Sequence, residues 1–189
     1  MNWPNTITMA RLVCTGATFL CLESIEDRHH PEGVLSWTAF TLFMVAAITD
    51  FLDGYLARKQ NQVTSFGRVI DPFADKVLIA GTFVILLKFP AAGSVMPHWY
   101  VVIVIAREFL VTAVRGLVEA SGRPFPADRL GKWKMVSQCW TAGGLLTMVA
   151  GTQIFRELTI GGLWVSLGLT VVSGVNYLIK ARDVLFRGL

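Results

Sequence analysis

Four aspartates, Asp50, Asp53, Asp71 and Asp75, crowd into the stretch DFLDGYLARKQNQVTSFGRVIDPFADK at positions 50–76. Carboxylates a few ångströms apart raise each other's proton affinity, so acids that converge need a cation between them. Ligands that are all oxygen suit Mg2+ or Mn2+ rather than zinc, and such ions keep positions open for water and phosphate oxygens. Two of these ions about 3.5–4 Å apart are the usual arrangement for displacement at phosphorus.

Spacing favours convergence over a solvated loop. On a helix, Asp50, Asp53, Gly54, Ala57 and Arg58 fall within about 140° of one another. Gly67, Asp71 and Asp75 recur every four residues and form a second stripe. If the segment KQNQVTSF turns the chain back, the two stripes face each other. Gly54 and Ala57 then remove bulk from the acidic face and leave room for a ligand, while Arg58 offers a planar fork to a phosphate. Taken alone, Gly54 and Ala57 read equally well as a close helix contact.

The elements that must carry these residues are membrane helices. Of 189 residues, 53% are hydrophobic and 16% charged, and the mean hydropathy is +0.55. The apolar residues come in blocks of about 20, the length that crosses a ~30 Å hydrocarbon layer. Six blocks are expected to span: 7–22, 35–56, 70–89, 99–120, 133–150 and 160–179. The predicted fold is thus all-α, a polytopic membrane protein of six transmembrane helices forming one domain over 1–189. An ionised side chain at mid-membrane costs ~2.5–3.5 kcal/mol, so the aspartates belong at the span ends.

Basic residues set the orientation. Arg58, Lys59 and Arg68 lie between spans two and three, Arg123, Arg129, Lys132 and Lys134 around the connection of four to five, and Lys180, Arg182 and Arg187 after the last. Both termini and the acidic site are therefore expected on the cytoplasmic side of a plasma or bacterial inner membrane. A pI of about 9.2 suits anionic headgroups and phosphorylated substrates. With no basic stripe carrying interleaved aromatics, it does not suggest nucleic acid.

The remaining features are bland. ESIEDRHHPEG reads as an exterior loop and PAAGSVMPH as a tight exterior turn, with Trp99 and Tyr100 as interface anchors. His29 and His30 lack a third ligand and read as a solvated pair. Cys14, Cys21 and Cys139 are apolar fillers. The first span lacks the basic flank and small-residue site of a cleaved signal, and is expected to remain attached.

DFLDGYLAR at 50–58 followed by GRVIDPFAD at 67–75 resembles the signature of the CDP-alcohol phosphotransferase family, with every fixed position filled. The resemblance implies transfer of a phosphatidyl or similar group from a CDP-linked lipid to an alcohol, with release of CMP. It implies that Asp50, Asp53, Asp71 and Asp75 hold two divalent ions, Mg2+ or Mn2+. Asp53, Gly54, Ala57, Arg58 and Gly67 would then border the CDP group, and Asp75 would take the proton of the attacking hydroxyl. Asn5 and Thr8 are placed beside the nucleotide, although a helix cap accounts for Asn5 as well. Family members commonly form homodimers.

Three further stretches, NWPNTITMAR at 2–11, AREFLVTAVR at 106–115 and GKWK at 131–134, resemble those of family members that make phosphatidylglycerophosphate. The implied substrates are CDP-diacylglycerol and glycerol 3-phosphate. Arg107 and Arg115 stand two helical turns apart on one side of span four, with Lys132 and Lys134 opening span five; together they are expected to grip the acceptor's phosphate. Glu108 is expected to orient one of these cations. Headgroup anchoring is the competing role for the two lysines, and Met135 stands where these members usually have threonine. Serine, inositol phosphate or phosphatidylglycerol as acceptor is the alternative within the chemistry. A divalent-cation transporter is the alternative outside it.

Overall fold

The computed structural model describes the backbone of residues 3–29, 33–60, 65–122 and 129–187, with side chains for 8–29, 33–50, 70, 73–122 and 130–182. Helices account for all of the regular structure among them: α1 (Trp3–Glu23), α2 (Val34–Gln60), α3 (Ser65–Leu86), α4 (Pro90–Gly93), α5 (His98–Ala120), α6 (Arg129–Val149) and α7 (Arg156–Arg187). Apart from the single turn α4, these are the six long helices expected from the apolar blocks. Helix α2 runs on to Gln60, so the whole of DFLDGYLAR is helical, and Gly67, Asp71 and Asp75 lie within α3. Helix α7 outruns its expected span; its 32 residues extend about 48 Å at 1.5 Å per residue.

Short connections make successive long helices run antiparallel. Helix α1 packs on α2 and α3, α6 on α7 and α2, and α5 on α7. One end of the bundle joins the C-terminal end of α1 to the chain after α3 through Lys88 and Glu23. There too the start of α5 meets the end of α3, where the Tyr100 ring stands edge-on to Phe83 at 5.3 Å. The other end holds the start of α1, the end of α2, the beginning of α3, the end of α5, the beginning of α6 and the end of α7.

Two glycines set how closely the helices approach. A β-carbon on Gly81 of α3 would lie 2.3 Å from the Phe19 ring of α1, and one on Gly144 of α6 would lie 2.2 Å from Thr159 Oγ1 of α7. Small residues permit such contacts where burying apolar surface gives little drive to association. Helix α6 ends in a Schellman turn: Gly151 has φ +87°, and the amides of Gly151 and Thr152 donate to the carbonyls of Met148 and Thr147.

Small polar side chains share the apolar core, and large apolar side chains also face outward. Inside lie Thr15, Thr18, Gln138, Ser166, Thr170 and Ser173, while Val13, Leu20, Val102 and Phe109 are each about two-thirds exposed or more. Helix α7 shows the pattern along its length, with Ser166, Thr170, Ser173 and Tyr177 turned inward and Val165, Val172 and Ile179 outward. The buried hydroxyls of Thr15, Thr18, Thr141 and Thr170 donate to the carbonyl four residues back, which satisfies them without a partner helix.

Among the described residues, one helix, over Arg156–Arg182, is clearly long and apolar enough to cross a membrane, and the apolar stretch Val34–Asp50 of α2 is shorter. The others are interrupted by charge: Arg107, Glu108 and Arg115 within α5, and Asp75 and Lys76 within α3.

Two local expectations are corrected. PAAGSVMPH turns the chain tightly, through the single turn α4, but it is not wholly exterior, because both Ala92 and Met96 are buried. Tyr100 is no interface anchor: it is wholly buried, with its hydroxyl 2.7 Å from Ser166 Oγ. A buried phenol needs such a partner. Trp99 remains half exposed.

Candidate active site

The acidic helices meet on a residue of α1. Arg11 is 2% exposed, and its Nη1 lies 2.7 Å from Asp50 Oδ1 and 2.8 Å from Asp75 Oδ1. Carboxylates from α2 and α3 therefore converge, and both are largely withdrawn from solvent, at 18% and 26% exposure. Thr8 is buried one turn before Arg11 on the same face of α1. Asp53, Gly54, Ala57, Arg58, Gly67 and Asp71 lie on the helical backbone of α2 and α3, and Asn5 on that of α1, but their side chains fall outside the described set.

The residues present suit a hard divalent ion. Asp50 and Asp75 offer only oxygen and already gather around one positive nitrogen, the environment that Mg2+ or Mn2+ prefers. Among the described residues these two acids are joined by no third His, Cys, Asp or Glu, and Asp53 and Asp71 are the expected further ligands.

Beside Asp75 opens a cavity of about 640 Å3 between α3, α5, α6 and α7. Arg107, Arg115, Lys132 and Lys134, expected together from their spacing, all line it. Glu108 orients two of them: it accepts from Arg107 Nη1 at 3.2 Å and from Lys134 Nζ. This is the orienting role expected of it. Lys134 is buried, whereas Lys132 is exposed at the rim. Headgroup anchoring therefore does not describe Lys134.

Helix α7 supplies partners that sequence reading missed. Arg107 Nη2 donates to Ser173 Oγ at 3.0 Å, and Arg115 Nη2 donates to the Tyr177 hydroxyl at 3.1 Å. Both guanidiniums also sit against the Tyr177 ring, at 5.7 and 5.9 Å from its centre. Tyr177 thereby spaces the two arginines. The Nε atoms of Arg107 and Arg115 are buried and have no hydrogen-bond partner among the described residues. A buried unpaired donor on a cation is costly unless an anion comes to meet it.

Sequence reading had no signal for Tyr177 or Ser173, which stand in an ordinary apolar run. Arg11 carried one, as the last residue of the N-terminal stretch NWPNTITMAR, but its type alone does not say what it touches.

Carboxylates from two helices stand beside a cavity lined by arginines and lysines, in a protein whose described regular structure is all helical, an arrangement that suits a phosphate-bearing ligand. The chain belongs to the CDP-alcohol phosphatidyltransferase family, whose profile matches residues 1–172, and it is an enzyme. It is 35% identical to the CDP-diacylglycerol–glycerol-3-phosphate 3-phosphatidyltransferase of Bacillus subtilis (strain 168), over 97% of each chain. The protein of the same name from Rickettsia felis is 34% identical over 93% of each. A probable phosphatidylglycerophosphate synthase of Mycobacterium tuberculosis is 33% identical over 97% of this chain and 83% of its own.

Proposed function

We propose that this enzyme transfers the phosphatidyl group of CDP-diacylglycerol to the free primary hydroxyl of glycerol 3-phosphate, giving phosphatidylglycerophosphate and CMP. The names of the Bacillus and Rickettsia relatives state these two substrates. The observation that carries the reading is the cavity in which Arg107, Arg115, Lys132 and Lys134 surround a space that opens on Asp75. A phosphate held by those cations leaves the rest of a three-carbon acceptor to reach the carboxylate.

Asp75 takes the hydroxyl proton as the acceptor oxygen bonds to the phosphorus bearing the diacylglycerol. The bond from that phosphorus to the CMP oxygen breaks, and CMP departs with the electron pair. Asp50, Asp53, Asp71 and Asp75 would hold two divalent ions, Mg2+ or Mn2+, which when bound offset charge on the diphosphate and the leaving nucleotide. Gly54, Ala57, Arg58 and Gly67, with Asn5 and Thr8, border the CDP moiety.

The six long helices cross the membrane as one domain over 1–189, with both termini and the acids on the cytoplasmic side of a plasma or bacterial inner membrane. Supporting this are the large apolar side chains on the outside of the bundle and the basic residues clustered at the end that holds the acids. The acyl chains stay in the bilayer while the CDP head enters laterally, and the chain works as a homodimer.

Purified protein given CDP-diacylglycerol, glycerol 3-phosphate and Mg2+ or Mn2+ is expected to release CMP, and Asp75→Asn to abolish turnover while glycerol 3-phosphate still binds. CMP release with serine, inositol phosphate or phosphatidylglycerol in place of glycerol 3-phosphate would move the acceptor assignment and leave the reaction class intact. Metal flux into sealed vesicles without nucleotide would favour the transporter reading.

A further inference from the structure

Asp50 and Asp75 belong to different helices, yet both hold the same nitrogen of Arg11. That guanidinium comes from α1, the helix packed on both α2 and α3, and it is almost fully buried. It takes no part in the acceptor cavity, whose lining does not include it. Two carboxylates brought together with little solvent repel unless a positive charge lies between them. Arg11 supplies that charge from within the chain. A divalent ion shared by Asp50 and Asp75 draws on the same two acids, so the ion and the guanidinium are rivals for them.

The geometry points to Arg11 as an internal counter-cation of the metal site. It keeps Asp50 and Asp75 gathered, and α1, α2 and α3 docked, in the metal-free protein, and it loosens its hold on them when a divalent ion binds. This rests on the reading of those aspartates as metal ligands. Arg11 is a positioning residue here: it weakens metal binding and in return maintains a site that the acids alone would push apart. A guanidinium suits the task better than an ammonium, because the N–H groups of each of its nitrogens are held in the plane of the group and so point in fixed directions.

The test titrates full-length protein in detergent with Mn2+, without substrates, and reads free Mn2+ by its electron paramagnetic resonance signal. Tm is measured in EDTA and in saturating Mn2+. Arg11→Gln is expected to bind Mn2+ about tenfold more tightly or better, the scale of one charge-assisted hydrogen bond that the ion no longer has to displace. Its Tm is expected to fall below wild type in EDTA and to approach wild type in Mn2+. A purely structural role would not tighten metal binding.

Unchanged or weaker Mn2+ binding in Arg11→Gln, with binding lost in Asp75→Asn, overturns the proposal and leaves the metal reading standing. Wild-type protein that takes up no Mn2+, or Asp75→Asn that binds like wild type, overturns both. Should Arg11→Gln fail to fold in EDTA, it is purified in Mn2+ and the rate at which EDTA strips the ion is compared with wild type: slower loss upholds the proposal, and equal or faster loss overturns it.

Discussion

Replacing Tyr177 separates the acceptor site from the rest of the enzyme. Its hydroxyl accepts from Arg115 at 3.1 Å, its ring lies under both Arg107 and Arg115, and it is only 4% exposed. Tyr177→Phe removes one hydrogen bond from a charged donor, a loss of about 1.5–3 kcal/mol. Arg115 has a buried Nε without a partner among the described residues, so its guanidinium loses the hydrogen bond that directs it and keeps only its packing on the ring. The expected result is a rise of about 10- to 100-fold in KM for glycerol 3-phosphate, since each 1.4 kcal/mol is a factor of ten. Tyr177→Leu also removes two cation–π contacts of about 0.5–1 kcal/mol each and should raise KM further. Initial rates of CMP release, with each substrate varied in turn, measure the effect. An unchanged KM for glycerol 3-phosphate in Tyr177→Phe would refute the assignment of the cavity. So would an equal rise in KM for CDP-diacylglycerol, since it would show Tyr177 acting on the whole fold.

Other expectations follow from burial and geometry. Lys134→Met leaves Glu108, among the described residues, with Arg107 as its cation partner and should lower kcat/KM about 100-fold, by breaking a buried ion pair of ~3 kcal/mol or more; Lys132→Met, at the exposed rim of the same cavity, should raise KM for glycerol 3-phosphate by a smaller factor of about two to five. In Gly144→Ala the new methyl meets Thr159 at 2.2 Å, which should cost about 1–3 kcal/mol, lower Tm by several degrees, and be partly relieved by Thr159→Ala. The Lys88 ammonium, with Arg28 nearby, holds the Glu23 carboxyl below its ordinary value of 4.5. A carboxyl with a depressed folded pKa stabilises above its unfolded pKa and loses that contribution as pH falls through the folded value. The Tm difference between wild type and Lys88→Met should therefore be present at pH 7 and vanish at acid pH.

Among the described residues hydropathy marks α7 clearly as a span, while α3, α5 and α6 fall short of it. The groups that lower the apolar score of the others are those of the site: Arg107, Glu108 and Arg115 on α5, Lys132 and Lys134 on α6, Asp75 and Lys76 on α3. Arg107, Glu108, Arg115 and Lys134 pair with each other or with α7, and Asp75 pairs with Arg11 of α1, while large apolar side chains such as Val102, Phe109 and Val136 face outward. A hydropathy average ignores direction, so it counts inward charges against a helix whose outward face is largely apolar.

The amino-acid sequence by itself determined the helices, since apolar blocks of membrane length admit little else, and it determined the acidic and basic stripes, since a helix fixes which residues share a face. It also carried the family, because the spacing of the aspartates, glycines and Arg58 is a local pattern within two consecutive helices. The tertiary structure decided what pairs across helices. Arg11 on Asp50 and Asp75, Tyr177 between Arg107 and Arg115, and Tyr100 in the core rather than at an interface all join residues more than 35 positions apart. Such pairings depend on how the helices rotate and how closely glycines such as Gly81 and Gly144 let them approach, and those quantities are set by packing between helices that no periodicity along one chain segment encodes.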